Sequence, residues 1–162
     1  MRRGIIAALA AAALVVACQP AALTDADRAA IEEEITELYA EQAEMISSVD
    51  MEGWLAQYDS SEEFVLATGG MLIGYAAVDS IIRGEWPYIT EANFVWGDLN
   101  IRVLSRDLAV VSAPFEWWGV VAGEEVVEDD ATWTAVLGKK DGAWKMLAAA
   151  ESKGDGGDDG ED

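Results

Sequence analysis

The chain holds no histidine, so an imidazole base, an imidazole-activated nucleophile and an imidazole metal ligand are all excluded. Acid–base chemistry must then rest on carboxylates and phenols. Glu116 alternates along its segment with Val110, Ser112, Trp118 and Val120, apolar surroundings of the kind that raise a carboxyl pKa. Asp130 alternates with Glu128, Thr132 and Thr134, although the acid-rich run Glu124 to Asp130 also reads as a solvated edge. Glu116 and Asp130 are the candidate bases, and Tyr58 is the candidate phenol.

The chain has 7 tryptophans. Most are expected to fill a core, since large rings suit the space between helices and a bent sheet. Trp86, Trp96 and Trp118, with Tyr75, are the expected lining of a pocket for an apolar ligand. Trp117 and Trp118 are adjacent and must point to opposite faces of a strand. Both faces therefore need cover, which points to a homodimer through the sheet face. The C-terminal run Asp155 to Asp162 is rich in Asp and Gly but lacks calcium-loop spacing, so neither a metal site nor a cofactor is expected.

These groups need elements to position them. Thr24 offers an N-cap, with Asp27 three residues on. Ile31, Ile35, Leu38, Tyr39, Met45, Ile46 and Val49 then follow at helical spacing, with Glu32, Glu33, Glu37, Glu41 and Glu44 on the opposite face. Asp50 can cap a second helix over Met51 to Tyr58. Glu62 to Thr68 reads as a strand, broken by Gly69-Gly70. Gly74 to Trp86 reads as a third helix that buries Ala77, Val78, Ile81 and Ile82 and stops at Pro87. The rest is β in character. Phe94 to Ser105 is one long strand with Val95 on the face of Leu99 and Trp96 on the other. Leu108 to Val121, Glu125 to Leu137 and Ala143 to Ser152 follow, joined by turns at Gly123 and Asp141-Gly142, the latter the strongest short hairpin signal. Helices first and hairpins after give an α+β class: three N-terminal helices packed on a strongly curved antiparallel sheet.

The chain has 162 residues and a net charge of −21. That length fits one domain, and that charge excludes nucleic acid as a partner, because phosphate contacts need Lys and Arg. Met1-Arg2-Arg3 is a basic start, Gly4 to Ala13 is apolar, and the pattern reads as an export signal. Val15-Val16-Ala17-Cys18 resembles the bacterial lipoprotein box. The resemblance implies cleavage before Cys18, lipid on Cys18 and an exported, membrane-anchored protein, on the outer membrane or the periplasmic face in a Gram-negative host. The expected organisation is a signal over 1–17, a tether over 18–23, the folded domain over 24–153 and a disordered acidic tail over 154–162.

The order of these features carries a second resemblance. The amphipathic helix is followed by Asp50-x-x-Gly53-Trp54-x-x-x-Tyr58, then Glu63-Phe64-Val65, then Gly74 opening a helix. Asp107-Leu108-Ala109-Val110-Val111, Lys140-Asp141-Gly142-x-Trp144-Lys145-Met146 and Ser152 complete it. From Ala29 to Lys153 the chain resembles the nuclear-transport-factor-two-like superfamily, in its SnoaL-like, ketosteroid-isomerase-like branch. The resemblance implies a cone with a pocket at its open end, in a group that holds isomerases, cyclases, dehydratases and non-catalytic binding domains. Many relatives carry a His on the last strand. This chain has Ala148, Ala149 and Ala150 there, and Glu151 as the one ionisable group. By alternation Glu151 lies with Lys145, Leu147 and Ala149, opposite Trp144 and Met146. The reading that follows is a domain binding a small apolar ligand or a protein partner without catalysis. The alternatives the resemblance implies are an isomerase-, cyclase- or dehydratase-like enzyme on a small enolisable substrate, with Glu116 or Asp130 as base and a Tyr as electrophile, and an envelope assembly module.

Overall fold

The computed structural model describes residues 22–153. The signal segment, Cys18 and the acidic tail lie outside them. Among the described residues, no helix is long and apolar enough to cross a membrane.

The first helix, α1 (Asp25–Ser47), starts at a capping box, in which the Thr24 hydroxyl accepts from the Asp27 N–H and the Asp27 carboxylate accepts from the Thr24 N–H. Two of the orphan amides of the first turn are thereby satisfied. It buries Ile31, Ile35, Tyr39, Gln42 and Ile46 and leaves the glutamate face exposed. Asp50 caps α2 (Met51–Ala56) through the Gly53 N–H. This helix is shorter than its apolar pattern predicts, because the next residues leave it to bond to the sheet: the Met146 N–H donates to Gln57 and the Asp59 N–H to Met146, both at 2.9 Å.

Strands β1 (Val65–Thr68) and β2 (Met71–Ile73) form a hairpin over Gly69 and Gly70, both at positive φ. Next come α3 (Tyr75–Glu85) and a 3₁₀ turn, Trp86–Tyr88. The sheet continues as β3 (Ile89–Trp96), β4 (Asn100–Ser105), β5 (Leu108–Val121), β6 (Glu124–Lys140) and β7 (Ala143–Lys153). Its order is β2-β1-β7-β6-β5-β3, with β4 also on β5. Helices packed on one curved sheet make the expected α+β architecture.

Three local expectations change. The sheet is mixed rather than purely antiparallel, since β1 runs parallel to β7. These strands are far apart in sequence, so no hairpin dictates their direction. The expected strand Phe94 to Ser105 is two strands, because the edge breaks opposite Pro114, which has no N–H for the ladder. There the Gly97 N–H donates to the Pro114 carbonyl at 2.9 Å. Phe94 and Trp96 turn inward as a result, while Val95 is 49% exposed. In α3, Val78 is buried as expected, but Ala77 is exposed and Ile81 is 46% exposed. Val78 enters the core and Ile82 packs against it, and both line, with Ile81, a cleft beside the helix.

The core lies between α1 and the concave face of the sheet. Phe94 and Phe115 stack at 5.2 Å, and Trp96 stands against Tyr39 at 4.9 Å and Phe94 at 4.7 Å between ring centres. The Trp144 indole N–H donates to Glu34 of α1 at 2.8 Å, and Lys139 meets the same carboxylate at 2.6 Å, pinning the last hairpin to the helix.

Candidate functional site

A cleft of about 330 Å³ opens between α3 and the concave sheet, with Leu66, Ile73, Val78, Ile81 and Ile82 as its aliphatic walls. Trp54, Tyr58 and Trp133 add aromatic surface, and Thr68, Glu85 and Glu151 are the remaining polar groups. Trp54 and Tyr58 meet edge to face at 5.5 Å. Tyr58 is brought there by the chain after α2, which forms a β-bridge to Met146. Just beyond, Asp59 accepts from Lys140 at 2.6 Å and from the Ser61 hydroxyl at 2.7 Å. The Lys140 ammonium, then the Ser61 hydrogen bonds, hold the Asp59 carboxyl below its usual value.

Glu151 reaches the cleft through an irregularity in β7. Val136 pairs with Ala148, but Leu137 pairs with Met146, so Leu147 is an extra residue. Such a bulge reverses the alternation beyond it. Trp144 and Met146 before it and Ala149 after it are all buried, and Glu151, opposite Trp133 in the ladder, follows them to the concave side. Strict alternation had placed Glu151 opposite Trp144 and Met146. Glu151 Oε2 accepts from the Thr68 hydroxyl at 3.1 Å. Its Oε1 lies 3.9 Å from Lys153, which sits closer, 2.9 Å, to Glu128.

Burial, then the charge of Glu151, then Tyr39 raise the pKa of the Tyr58 phenol. It therefore remains protonated and can donate. Deeper in, burial also raises Tyr39, with the Trp133 indole opposing. That indole is close enough to act on Tyr39 yet outside hydrogen-bonding geometry, for Tyr39 Oη and Trp133 Nε1 both lack a partner. The side-chain amide of Gln42 and the Trp96 Nε1 are also buried without partners.

A second cleft, of about 690 Å³, adjoins the first across Ile82 and Glu85. Trp86, Tyr88, Trp117 and Glu128 are among its walls. Trp117 lies over Gly119, where a Cβ would stand 2.5 Å from the indole. Here too a bulge decides the facing. Trp117 pairs with Glu128 and Phe115 with Ala131, so β6 carries one residue more than β5 between them. Glu128 and Asp130, expected on one face, are separated by it: Glu128 lines the cleft and Asp130 is exposed.

The residues singled out by sequence fall in different places. Tyr58 lines the first cleft and Trp86 the second, where the Trp86 indole N–H donates to Val49 at 2.9 Å. Trp96 is packed in the core against Tyr39. Trp118 is on the outer face, paired with Asn93 and Val127, so the two adjacent indoles do diverge. Tyr75 borders a separate depression with Asp59 and Lys140. Glu116 is exposed, opposite Val95, and neither it nor Asp130 is brought to Tyr58. The cleft residues that spacing did not single out are Trp54, Thr68, Glu85, Trp133 and, as a lining residue, Glu151. Among the described residues, no group of three or more acids, cysteines or histidines is placed to hold a metal ion.

No protein-family profile and no curated protein matches this sequence. Solved structures do match it in fold. A candidate scytalone dehydratase from Novosphingobium aromaticivorans superposes with a TM-score of 0.69 at 12% identity, over 81% of this chain and 89% of that one. A hexachlorocyclohexane dehydrochlorinase, LinA-type3 of Novosphingobium barchaimii, gives 0.63 at 17% identity, over 80% and 90%. An NTF-2 like protein of unknown function from Shewanella oneidensis gives 0.59 at 18% identity, over 75% and 98%. The chain has the NTF2-like fold. A shared fold at such identities fixes architecture and leaves chemistry to the side chains of the site.

Proposed function

We propose that this chain is a binding domain that takes a small, largely apolar molecule into the cleft between α3 and the concave sheet. The observation that carries the reading is the cleft itself: Trp54, Tyr58 and Trp133 with an aliphatic wall, around the Thr68–Glu151 pair. Small-molecule sites have this make-up, mostly apolar with a few convergent polar groups. Export and a lipid on Cys18 complete the reading, supported by the sequence from Val15 to Cys18. The test is a panel of small aromatic and alicyclic molecules added to the full chain, read by tryptophan emission and by unfolding temperature. Binders should quench emission and raise the midpoint. If no member does either, the binding reading fails. Loss of membrane association in Cys18→Ser is the corresponding test of the anchor.

A second reading is an enzyme that removes a proton next to a carbonyl, with Glu151 as base and Tyr58 as donor to the oxyanion. It is favoured by one observation: Tyr58 and Glu151 line the same cleft. Among proteins of this fold are ones named as a dehydratase and as dehydrochlorinases. Exchange of solvent deuterium into a small enolisable ketone, absent in Glu151→Gln, is the expected result; no exchange above buffer refutes it. The homodimer stays a proposal as well. It draws support from Val95 and Val127, 49% and 58% exposed, beside Trp118 on the outer face. Light scattering on the full chain tests it.

A further inference from the structure

We infer that the ligand of the first cleft is a small organic cation, an amine or quaternary ammonium carried on an apolar body. The inference rests on the binding reading above and adds the ligand's charge.

The charged groups that line the cleft are carboxylates, Glu85 and Glu151. The nearest ammonium is committed elsewhere: Lys153 stands 2.9 Å from Glu128 and 3.9 Å from Glu151 Oε1. Thr68 donates to Oε2 of Glu151 at 3.1 Å, a shorter contact than the one Lys153 makes with Oε1. A carboxylate set against apolar walls calls for a charged partner. The same cleft offers three aromatic side chains, Trp54, Tyr58 and Trp133, and ring faces attract cations, most strongly where water is displaced. A neutral hydrocarbon uses the walls and leaves the carboxylates of the cleft unanswered. At long range, a chain of net charge −21 draws cations and repels anions.

The test compares benzyltrimethylammonium with its uncharged isostere neopentylbenzene, using the full chain, tryptophan emission and calorimetry. The cation should bind at least about tenfold more tightly at low salt, with the advantage shrinking as salt is added. Glu151→Gln keeps the side-chain shape and should weaken the cation about ten- to a hundredfold, the range of a charge-assisted contact, while leaving the isostere unchanged. Trp54→Leu keeps an apolar wall and should weaken the cation selectively. Far-UV dichroism and the unfolding midpoint establish that both variants fold. Equal binding of the two probes, or a preference that survives Glu151→Gln, overturns the cation inference and leaves the binding reading standing. Binding of neither probe overturns the inference, and failure of the neutral panel as well removes the binding reading.

Discussion

Replacing Gln42 with leucine should make this protein more stable. Gln42 is 0% exposed and sits on the buried stripe of α1 between Tyr39 and Ile46. Its Nε2 and Oε1 both lack a partner. An amide buried without compensation costs about 1–3 kcal/mol by protein mutational data. Leucine has a similar reach, keeps the packing and removes that cost. For a domain of this length, one kcal/mol moves the unfolding midpoint by roughly 4 °C, so Gln42→Leu should raise it by about 4–12 °C. Gln42→Ala is the control: it removes the same amide but leaves a hole, and core truncations cost about 2–5 kcal/mol. Calorimetry and urea unfolding of the full chain at neutral pH read both. If Gln42→Leu lowers the midpoint, the reasoning is wrong, because the amide is then hydrogen-bonded in solution and belongs to a satisfied interior network.

Ala122 holds a φ of 53° in the turn before Gly123, a conformation that costs an L-residue about 1–2 kcal/mol, so Ala122→Gly should raise the urea midpoint. Gly142→Ala, at a φ of 84°, should lower it by a comparable amount. Thr24→Ala removes the capping box of α1 and should cost about 1 kcal/mol, read by thermal unfolding. The Asp59 carboxyl is held below its usual pKa by Lys140 and Ser61, so its stabilising contribution is complete above the unfolded value, about 3.9, and disappears as pH falls through the lower folded value. The stability curves of wild type and Asp59→Asn should therefore converge in acid and separate above about pH 4; parallel curves across that range would refute the assignment.

The limits of β5, Leu108–Val121, are those its apolar run gives. Thr24 caps α1 as its spacing to Asp27 requires, and Asp141 and Gly142 take the positive φ values, 53° and 84°, that the dipeptide promises. These are local matters, decided within a few residues. What escapes the sequence depends on partners distant along the chain. The parallel pairing of β1 with β7 is of this kind. So is the break between β3 and β4, set by a proline on the neighbouring strand. Of the candidate site, Trp86 was singled out as a lining residue and Tyr58 as a phenol, and Glu151 as the ionisable group where relatives carry a His. Its facing was not legible, because an alternating pattern holds no record of where an extra residue enters.

The two bulges that escape the pattern are also what join the shape of the sheet to its chemistry. A strand as long as β6, 17 residues, cannot follow a curved sheet and keep an unbroken ladder, and bulges relieve this by bending and twisting the strand. One falls between the pairs Phe115–Ala131 and Trp117–Glu128, the other between Val136–Ala148 and Leu137–Met146. Each keeps the core residues on the concave side along one length of strand, then reverses the alternation for the rest. The residues reversed are not neutral. Glu128 and Glu151 turn toward the clefts, while Asp130 turns out. A straight ladder with the same sequence would present Glu151 on the face away from Trp144 and Met146, and its hydrogen bond with Thr68 would be lost. The irregularities in the ladder are thus the ones that deliver its carboxylates to the clefts.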